Sequence, residues 1–273
     1  MGNLVRTALV TGSTDGIGKE TAKGLLRKGL RVIVHGRSAA SVARAVDELA
    51  ASGEAAALEG WACDLSSLAE VRARGAELLA RHPRLDVLLH NAGVYANRRA
   101  VTVDGFELTF AVSHLAPFLL THTLLPALRA AAPARVILVS SQVHQGAGVN
   151  WSDLQLSRGY SAYGAYGQAK LCNVLFANGL AARFAPETLT ANSLHPGVVT
   201  TKLLRGFGMG SGPDSLEEGA RTSIHLATSP EVALVTGRYF ARSQEATCSR
   251  EARSTETRER LWTLSEELTE IRY

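Results

Sequence analysis

Hydrophobic and polar positions follow two alternating patterns along this chain. Short runs rich in β-branched residues are separated by longer segments in which apolar residues recur at helical spacing. Continuous apolar runs such as Val136–Val139 are typical of strands that are buried on both faces of a parallel sheet. The predicted strands are Val5–Thr11, Arg31–His35, Ala56–Ala62, Leu85–Asn91, Arg135–Ser140, Thr190–His195 and one near Arg238–Ala241.

The segments with helical spacing fall between these strands. Helices are predicted near residues 17–28, 39–52, 67–81, 105–131, 161–185, 215–228 and 253–271. Alternation of strands and helices predicts right-handed βαβ units. We therefore expect an α/β fold, with one doubly wound parallel sheet of about seven strands, helices on both faces, and a single domain over residues 1–273. The glycine-rich stretch Leu203–Ser215 is either a mobile lid or a plain surface loop.

Composition indicates the class of protein. The 273 residues are 46% hydrophobic and 20% charged, which is ordinary for a soluble globular protein. The 29 basic residues are spread along the chain and give a net charge of only +4, so no nucleic-acid partner is expected. Cys63, Cys172 and Cys248 lie far apart, which fits neither a disulfide framework nor a zinc site, and a cytoplasmic location is predicted. We recognise no signal peptide and no apolar run of ~20 residues, so no membrane partner is expected.

Tyr166 and Lys170 carry the first signal of chemistry. They are four residues apart in a predicted helix and therefore lie on the same helical face. A nearby cation favours the phenolate and lowers the pKa of tyrosine from its usual value of about 10. The pair is a candidate proton donor and acceptor, or else a tyrosine at a helix edge beside a solvated lysine.

A glycine-rich turn joins the first predicted strand to the first predicted helix. Its sequence is Thr11-Gly12-Ser13-Thr14-Asp15-Gly16-Ile17-Gly18. Glycines permit a tight turn and the close approach of backbone to a ligand, and the helix N-terminus then offers N–H groups to a pyrophosphate. The spacing differs from G-x-G-x-x-G, but the first βα turn is where such folds bind dinucleotides.

The end of the second strand indicates which dinucleotide is bound. An acidic residue there would bond the ribose 2′-OH and select NAD(H). This chain has His35-Gly36-Arg37-Ser38 instead. A guanidinium suits a 2′-phosphate, so Arg37 predicts NADP(H), with NAD(H) still possible. The alternative is that Arg37 is a solvated loop residue.

In order and spacing, these motifs resemble those of the short-chain dehydrogenase/reductase superfamily over nearly the whole chain. The resemblance implies a Rossmann-type fold and places Asp64 against the adenine. His90-Asn91-Ala92-Gly93 matches the family's Asn-Asn-Ala-Gly motif with one change, and Pro196 to Thr201 matches the segment that packs on the nicotinamide. The candidate cofactor residues are Gly12, Ser13, Thr14, Asp15, Gly16, Ile17, Gly18, Arg37, Asp64, Leu65, Asn91, Ala92, Gly93, Tyr166, Lys170, Pro196, Gly197, Val199 and Thr201.

Three stretches resemble the retinol-dehydrogenase-like and WW-domain-oxidoreductase-like group within this superfamily. They are Ser113 to Thr121, Tyr166 to Phe176, and the tail from Gly237 through Trp262. Ser141, Tyr166 and Lys170 fall on the family's catalytic residues. The fourth, an asparagine that positions a water linked to the lysine, is Ser113 here, so the resemblance implies retained but slower turnover.

The predicted reaction interconverts a carbonyl and an alcohol with NADP(H). Tyr166 would donate the proton, Ser141 would stabilise the substrate oxygen, and Lys170 would lower the tyrosine pKa and hold the ribose. Trp151, Leu154, Leu156, Tyr160 and Tyr163 lie between Ser141 and Tyr166. This interval is predicted to form one wall of an apolar substrate pocket, with Leu203–Ser215 as the other, or else to pack on the domain's own surface.

The sequence leaves alternatives open for the function and for the oligomeric state. A non-catalytic NADP-binding regulator or scaffold on the same fold is the main alternative function, and a sugar-nucleotide epimerase or dehydratase is a second. Pairing through the helices at 105–131 and 161–185 would give a homo-oligomer, or the same faces are covered within a monomer. We expect His195 to be structural, and we assign no chemical role to His144.

Overall fold

The computed structural model describes residues 5–51 and 58–273. Within these residues one eight-stranded sheet forms the centre of the protein, in the order β3-β2-β1-β4-β5-β6-β7-β8. The strands are β1 Thr7–Val10, β2 Arg31–Gly36, β3 Leu58–Ala62, β4 Val87–His90, β5 Ala134–Val139, β6 Leu189–His195, β7 Tyr239–Ala241 and β8 Gln244–Ala246. Strands β1 to β7 pair in parallel, and β8 runs antiparallel to β7.

The helices fill the connections between the strands. They are α1 Gly16–Arg27, α2 Ala39–Leu49, α3 Leu68–Arg81, α4 Leu108–Phe110, α5 Ala116–Ala130, α6 Ala162–Arg183, α7 Lys202–Gly206, α8 Leu216–Thr228 and α9 Thr255–Thr269. A π-helical turn, Ala111–Leu115, joins α4 to α5. The fold class predicted from the sequence, a doubly wound and mostly parallel sheet between helical layers, is confirmed.

Side chains alternate between two apolar layers along each central strand. Leu88 and Val136 belong to the layer that packs against α3, α5 and α6. Leu89 and Ile137, their neighbours in the chain, belong to the layer that packs against α1, α2 and α8. This period of two buries both faces of the sheet, which explains the continuous apolar runs in the sequence.

Each predicted strand has its counterpart in the sheet, and the differences lie in short elements. The sequence did not predict β8, which has three residues, or α7, which has five residues and lies, except for Lys202, within the stretch predicted to be a lid or a loop. Thr201 starts α7 by accepting a hydrogen bond from the Leu204 amide. Residues 56 and 57 of the third predicted strand, and residue 52 of the second predicted helix, lie outside the described residues.

The last helix and the tail that follows it cover part of the α5 and α6 surface. Trp262 packs edge-on against Phe118 with ring centroids 5.1 Å apart, and the Arg183 guanidinium lies 3.8 Å from the Trp262 ring. The Tyr273 hydroxyl donates to the Phe118 carbonyl. The segment Leu108–Ala130 is long and apolar enough to cross a membrane, but 78% of its apolar window is buried, as in the core helix of a soluble protein.

Candidate active site

A cleft of about 1030 Å³ lies at the carboxyl ends of strands β1 to β6. The sheet order reverses between β1 and β4, and ligands of open α/β sheets bind at such switch points. The cleft brings together nearly all of the residues predicted from the sequence. It is lined by Gly12, Thr14, Asp15, Gly16, Ile17, Gly18, Arg37, Asp64, Leu65, Asn91, Ala92, Gly93, Ser141, Tyr166, Lys170, Pro196, Gly197, Val199 and Thr201.

Two predicted site residues, Ser13 and Ser113, lie behind the cleft surface and are fully buried. The Ser13 hydroxyl donates to the Val10 carbonyl and accepts from the His35 amide. The proton and one lone pair of this hydroxyl are therefore used within the protein. The Ser13 side chain thus joins β1 to β2, and the cofactor contact predicted for this residue stays a prediction.

The glycine turn is bonded to the loop that follows β4. The Asn91 side-chain amide donates to the carbonyls of Thr11 and Gly12 at 2.9 and 3.0 Å. Gly12 has φ +64°, and a Cβ on it would lie 2.9 Å from the Ala92 Cα. A Cβ on Gly18 would overlap the Gly12 carbonyl oxygen and the Asn91 amide. The turn therefore requires glycine at these positions and leaves a cradle of backbone.

The N-terminus of α1 faces the same cleft. Asp15 caps the helix by accepting from the Gly16 amide, while the amides of Ile17 and Gly18 have no partner among the residues that the structure describes. Lys202, at the start of α7, is 87% exposed and pairs with Asp15 at 2.6 Å. This ion pair lowers the pKa of Asp15. Unpaired amides and an exposed ammonium suit a pyrophosphate, and no motif in the sequence had indicated Lys202.

Positive charge lies at the end of the cleft formed by β2 and β3. Arg37 and Arg44 both line this end, and Arg44 was not predicted. The Asp64 carboxylate accepts from the Ser66 amide and hydroxyl at 2.9 and 2.8 Å. One of its oxygens is thus engaged in its own turn. Glu48 also lines the cleft, and its carboxylate lies 4.0 Å from the Arg44 guanidinium.

Ser141, Tyr166 and Lys170 meet at the other end of the cleft. The Tyr166 phenol and the Ser141 hydroxyl both line this end, and the Ser141 hydroxyl acts to lower the pKa of the phenol. The Lys170 ammonium donates to the Val139 carbonyl at 2.8 Å, and the Ser140 hydroxyl donates to the Lys170 carbonyl at 2.7 Å. These bonds fix α6 against the end of β5, and they hold a phenol and a hydroxyl where both can reach one substrate oxygen.

An aromatic cover, formed by Tyr95 and Phe207, lies over Tyr166. The two cover rings stack with centroids 3.9 Å apart, and Phe207 meets Tyr166 edge-on at 5.0 Å. Tyr166 is consequently only 6% exposed. Met209, which is half-exposed, and Tyr163 also line this end of the cleft. The sequence had indicated the stretch of Phe207 as a pocket wall but had given no sign of Tyr95.

Burial under this cover decides the direction of both pKa shifts. Desolvation raises the pKa of Tyr166, and the hydrogen bond from Ser141 opposes that rise only in part. Desolvation lowers the pKa of Lys170 to about 8. The sequence had predicted a lowered tyrosine pKa from the lysine on the same face. In the structure the opposite direction results, because the Lys170 ammonium points to Val139 and the covered phenol is out of water.

Ser113 lies in the π-helical turn behind Lys170. A Cβ on Gly93 would lie 3.2 Å from the Lys170 ammonium and 3.6 Å from the Ser113 hydroxyl, so both groups border the same backbone position. The Ser113 hydroxyl is buried and has no hydrogen-bond partner within the described part of the chain. Ser113 therefore lies beside Lys170 but does not line the cleft.

Most of the interval between Ser141 and Tyr166 does not line the cleft. Trp151 and Leu154 pack on the main core, and Arg260 lies over the Trp151 ring at 4.3 Å. The Tyr160 hydroxyl donates to the Ala96 carbonyl. Of the five residues predicted to form the first wall, Tyr163 alone borders the cleft. The alternative, packing on the domain's own surface, is the arrangement found for Trp151 and Leu154.

Two histidines near the site have structural partners. His144 donates from Nδ1 to the Ser141 carbonyl at 2.7 Å, and His195 accepts at Nδ1 from the Gln142 amide at 3.3 Å. Burial lowers the pKa of both rings. Across residues 5–51 and 58–273 there is no cluster of three or more histidine, cysteine or acidic side chains that could hold a metal ion.

The cleft fits a dinucleotide. The cradle at Gly12 and Gly18 excludes any side chain, the first amides of α1 are unpaired, and guanidinium groups lie at one end with a phenol and an ammonium at the other. The guanidinium groups suit the phosphorylated ribose of the adenosine, the cradle and the α1 amides suit the pyrophosphate, and the phenol and the ammonium suit the nicotinamide end.

Comparison with known proteins agrees with this geometry. The short chain dehydrogenase family model matches residues 6–209. Human retinol dehydrogenase 14 is 38% identical over 286 residues, covering 96% of this chain and 85% of that protein. The human WW domain-containing oxidoreductase is 36% identical, covering 98% of this chain and 69% of that protein.

Solved structures give the same result. An uncharacterised protein from Mycobacterium paratuberculosis superposes with a TM-score of 0.81 at 34% identity, covering 98% of this chain and 94% of that one. The Pseudomonas aeruginosa RhlG/NADP active-site complex superposes with a TM-score of 0.71 at 30% identity, covering 86% and 94%. The chain therefore belongs to the short-chain dehydrogenase family of oxidoreductases and resembles its retinol-dehydrogenase-like group.

Proposed function

We propose that this oxidoreductase uses NADP(H) to interconvert a lipophilic carbonyl and its alcohol. The observation that carries the proposal is that Tyr166 and Ser141 line the same end of the cleft, beneath an aromatic cover and remote from Arg37 and Arg44. An acid and a hydroxyl donor are thus directed at one point in an apolar surrounding. That is the arrangement required where negative charge develops on a carbonyl oxygen.

The cofactor, when bound, delivers a hydride to the carbonyl carbon or accepts one from the alcohol carbon. Tyr166 protonates the carbonyl oxygen during reduction, and Ser141 donates a hydrogen bond to the same oxygen. Lys170, whose ammonium donates to the Val139 carbonyl and lies 5.4 Å from the Tyr166 ring centroid, would hold the ribose hydroxyls of the cofactor. A positive charge near the phenol favours the phenolate. It therefore offsets the rise in the tyrosine pKa that burial causes.

Arg37 and Arg44 support a preference for NADP(H). Both guanidinium groups line the end of the cleft expected to hold the adenosine ribose, and a 2′-phosphate there would be bonded bidentately. Arg37→Ala should weaken NADPH binding about tenfold while leaving NADH binding unchanged, since only the 2′-phosphate contact is lost. Arg31→Ala, at the opposite end of β2, is the matched control. An unchanged ratio of NADPH to NADH affinity in Arg37→Ala would contradict the assignment.

Apolar surroundings of Tyr166 support a lipophilic substrate. The side chains of Tyr95, Phe207 and Leu204 lie at this end of the cleft, and Met209 is half-exposed at its rim. Pockets with apolar walls and a few convergent polar groups bind ligands of the same character. The relatives named retinol dehydrogenases carry such a substrate in their names, which adds to the proposal for this chain.

The test follows NADPH consumption with aliphatic, aromatic and retinoid carbonyls, with NADH in parallel. Tyr166→Phe should lower kcat by about 10³-fold without changing the NADPH dissociation constant, because it removes the proton and nothing that holds the cofactor. Tyr163→Phe, on the same helix and exposed, is the matched control. NADPH binding without turnover of any carbonyl would favour the non-catalytic regulator. Interconversion of nucleotide sugars with no net NADPH consumption would favour the epimerase.

We also propose a cytoplasmic location without a membrane partner. The extensive burial of Leu108–Ala130 supports this, because a buried helix cannot contact lipid. The contacts of α9 with α5 and α6 support a monomer over a homo-oligomer paired through those helices, and sedimentation would decide between them.

A further inference from the structure

His35 is buried at the end of β2 and bonds two other segments with all of its polar groups. Its backbone amide donates to the Ser13 hydroxyl, and its carbonyl accepts from the Ser13 amide, both at 2.9 Å. Its ring nitrogen Nδ1 accepts from the Gly12 amide at 2.9 Å. Nε2 lies 3.0 Å from the Cys63 carbonyl. The side chain therefore joins the glycine turn to the end of β3, across β2.

These partners fix the protonation of the ring. The Gly12 amide is a donor, so Nδ1 must present a lone pair, and the Cys63 carbonyl is an acceptor, so Nε2 must carry the proton. The neutral ring with hydrogen on Nε2 is the form that satisfies both. Burial lowers the pKa of His35 to about 4, and the bond to the Cys63 carbonyl and the charge of Asp64 oppose that shift only in part. His35 is consequently neutral wherever the protein is folded at ordinary pH.

The hydrogen bond between His35 and Gly12 holds the residue of the glycine turn whose backbone conformation is the most restricted. Gly12 lies in the left-handed region at φ +64°, with Ala92 closely packed against its Cα. On its other side the Gly12 carbonyl accepts from Asn91. His35, in β2, holds the amide of Gly12, and Asn91, in the loop after β4, holds its carbonyl, so both peptide groups that flank the Gly12 Cα are fixed. The cradle for the dinucleotide is thus shaped by side chains outside the glycine motif.

We propose that His35 is a positioning residue of the dinucleotide site, which holds the Gly12 peptide in the orientation that leaves the cradle open. This inference rests on the proposed function, because it assumes that the cradle receives NADP(H). An apolar residue could fill the same space beside Trp61, whose ring lies 4.9 Å from that of His35. It would leave the Gly12 amide without an acceptor, and the peptide could then rotate into the cradle.

Asparagine and glutamine separate the two ring contacts. The Oδ1 of His35→Asn falls near the Nδ1 position and can still accept from Gly12, while the bond to Cys63 is lost. The Nε2 of His35→Gln falls near the ring Nε2 and can still donate to Cys63, while the bond to Gly12 is lost. Each variant loses one hydrogen bond, so both should unfold at similar temperatures.

NADPH affinity should nevertheless differ between the two variants. In fluorescence titrations we expect His35→Asn to bind NADPH within about threefold of the wild-type protein, and His35→Gln to bind about tenfold more weakly. His35→Ala should resemble His35→Gln in affinity. At saturating NADPH, kcat should be unchanged in all three variants, because Ser141, Tyr166 and Lys170 lie at the other end of the cleft.

The outcomes distinguish this inference from the proposed function. Equal NADPH affinities in His35→Asn and His35→Gln, or losses of affinity that follow the losses in unfolding temperature, would overturn the positioning role and leave the proposed function intact. A fall in kcat at saturating NADPH would also overturn it. A wild-type protein that binds neither NADPH nor NADH would overturn the proposed function and, with it, this inference.

Discussion

The two ends of the cleft are stabilised by different kinds of contact. At the adenosine end, the backbone and side-chain polar groups of Ser13, His35 and Asn91 are hydrogen-bonded to neighbouring strand ends. At the catalytic end, Tyr166 and Lys170 are buried under aromatic rings, and burial opposes the charged form of each. At the first end the polar groups have hydrogen-bond partners. At the second end the ionisable groups lie in an environment that disfavours their charged forms.

This difference indicates where the protein gives up stability for function. Buried polar groups with all partners in place stabilise a fold, while a buried ammonium with few partners lowers its stability. Active sites commonly carry such a cost, since groups with shifted pKa values are the ones that transfer protons. We therefore expect substitutions at the catalytic end to change stability and activity in opposite directions, and substitutions at the adenosine end to reduce both.

Lys170→Met tests the cost at the catalytic end. The Lys170 pKa is about 8 in the folded protein, below its ordinary value of 10.5. Between these values the unfolded chain binds more protons than the folded one, so the free energy of unfolding rises as pH rises through this window. At pH 7 the whole penalty is present, and the pKa difference corresponds to about 3 kcal/mol at most. Lys170→Met should therefore be inactive but more stable than the wild-type protein at pH 7.

Urea unfolding at neutral and alkaline pH would measure this effect. The stability gained in Lys170→Met should shrink steadily above pH 8, as the wild-type lysine loses its proton. Lys202→Met is the matched control, because that lysine is 87% exposed. A gain that is the same at both values of pH would show that packing, and not the buried charge, separates Lys170→Met from the wild-type protein.

Gly18→Ala tests the scaffold at the phosphate-binding part of the cleft. A methyl group there would overlap the Gly12 carbonyl and the Asn91 amide, and the turn would have to move. The expected result is about 10- to 100-fold weaker NADPH binding together with a lower unfolding temperature, since overpacking costs 1–3 kcal/mol. Gly164→Ala, where the added methyl meets only ordinary contacts, is the control. Unchanged NADPH affinity in Gly18→Ala would mean that the cradle tolerates a side chain.

The parts of the site that the sequence predicted share a property. The glycine turn, Arg37, Asn91 and the pair of Tyr166 and Lys170 are recognised from local order and from the chemistry of single residues. Their placement then follows from the parallel sheet, because the carboxyl ends of its strands meet at one edge. The strands and helices were also predicted from local sequence, because the spacing of apolar residues within each segment indicates its secondary structure.

The parts that the sequence did not predict depend on contacts between distant segments. Tyr95 and Phe207 meet across 112 positions of the chain, and neither belongs to a motif. The direction of the Tyr166 pKa shift was wrong because that cover could not be inferred. His35 was read only as a residue near Arg37, since its contact with Gly12 is visible only once β1 and β2 are paired. Elements as short as α7 and β8 carry too few residues to show a period.

Phe207→Ala tests the aromatic cover. Loss of this ring removes the stack on Tyr95 and the edge contact with Tyr166, so a small aromatic carbonyl should bind about tenfold more weakly. NADPH affinity should not change, because the cover lies over the catalytic end. Met209→Ala, in the same segment and half-exposed at the rim of the cleft, is the control. Equal increases of KM in both variants would remove any special role of Phe207.

Ser113→Asn is expected to have the smallest effect and gives the finest test of the catalytic end. Ser113 borders the Gly93 position beside the Lys170 ammonium, and its hydroxyl has no partner among the described residues. An asparagine reaches further and carries a carbonyl that can accept a hydrogen bond from the ammonium. We expect kcat to rise about two- to threefold, since one net hydrogen bond contributes 0.5–1.5 kcal/mol.

Ser113→Ala separates this effect from packing. It removes a buried hydroxyl that has no acceptor, so kcat should stay the same and the unfolding temperature should be equal or slightly higher. Steady-state kinetics on both variants, at saturating NADPH, would measure the difference. A lower kcat in Ser113→Ala would show that the hydroxyl already supports Lys170 in the wild-type protein. A lower kcat in Ser113→Asn alone would show that the π-helical turn has no room for the longer side chain, and that the serine is matched to this turn.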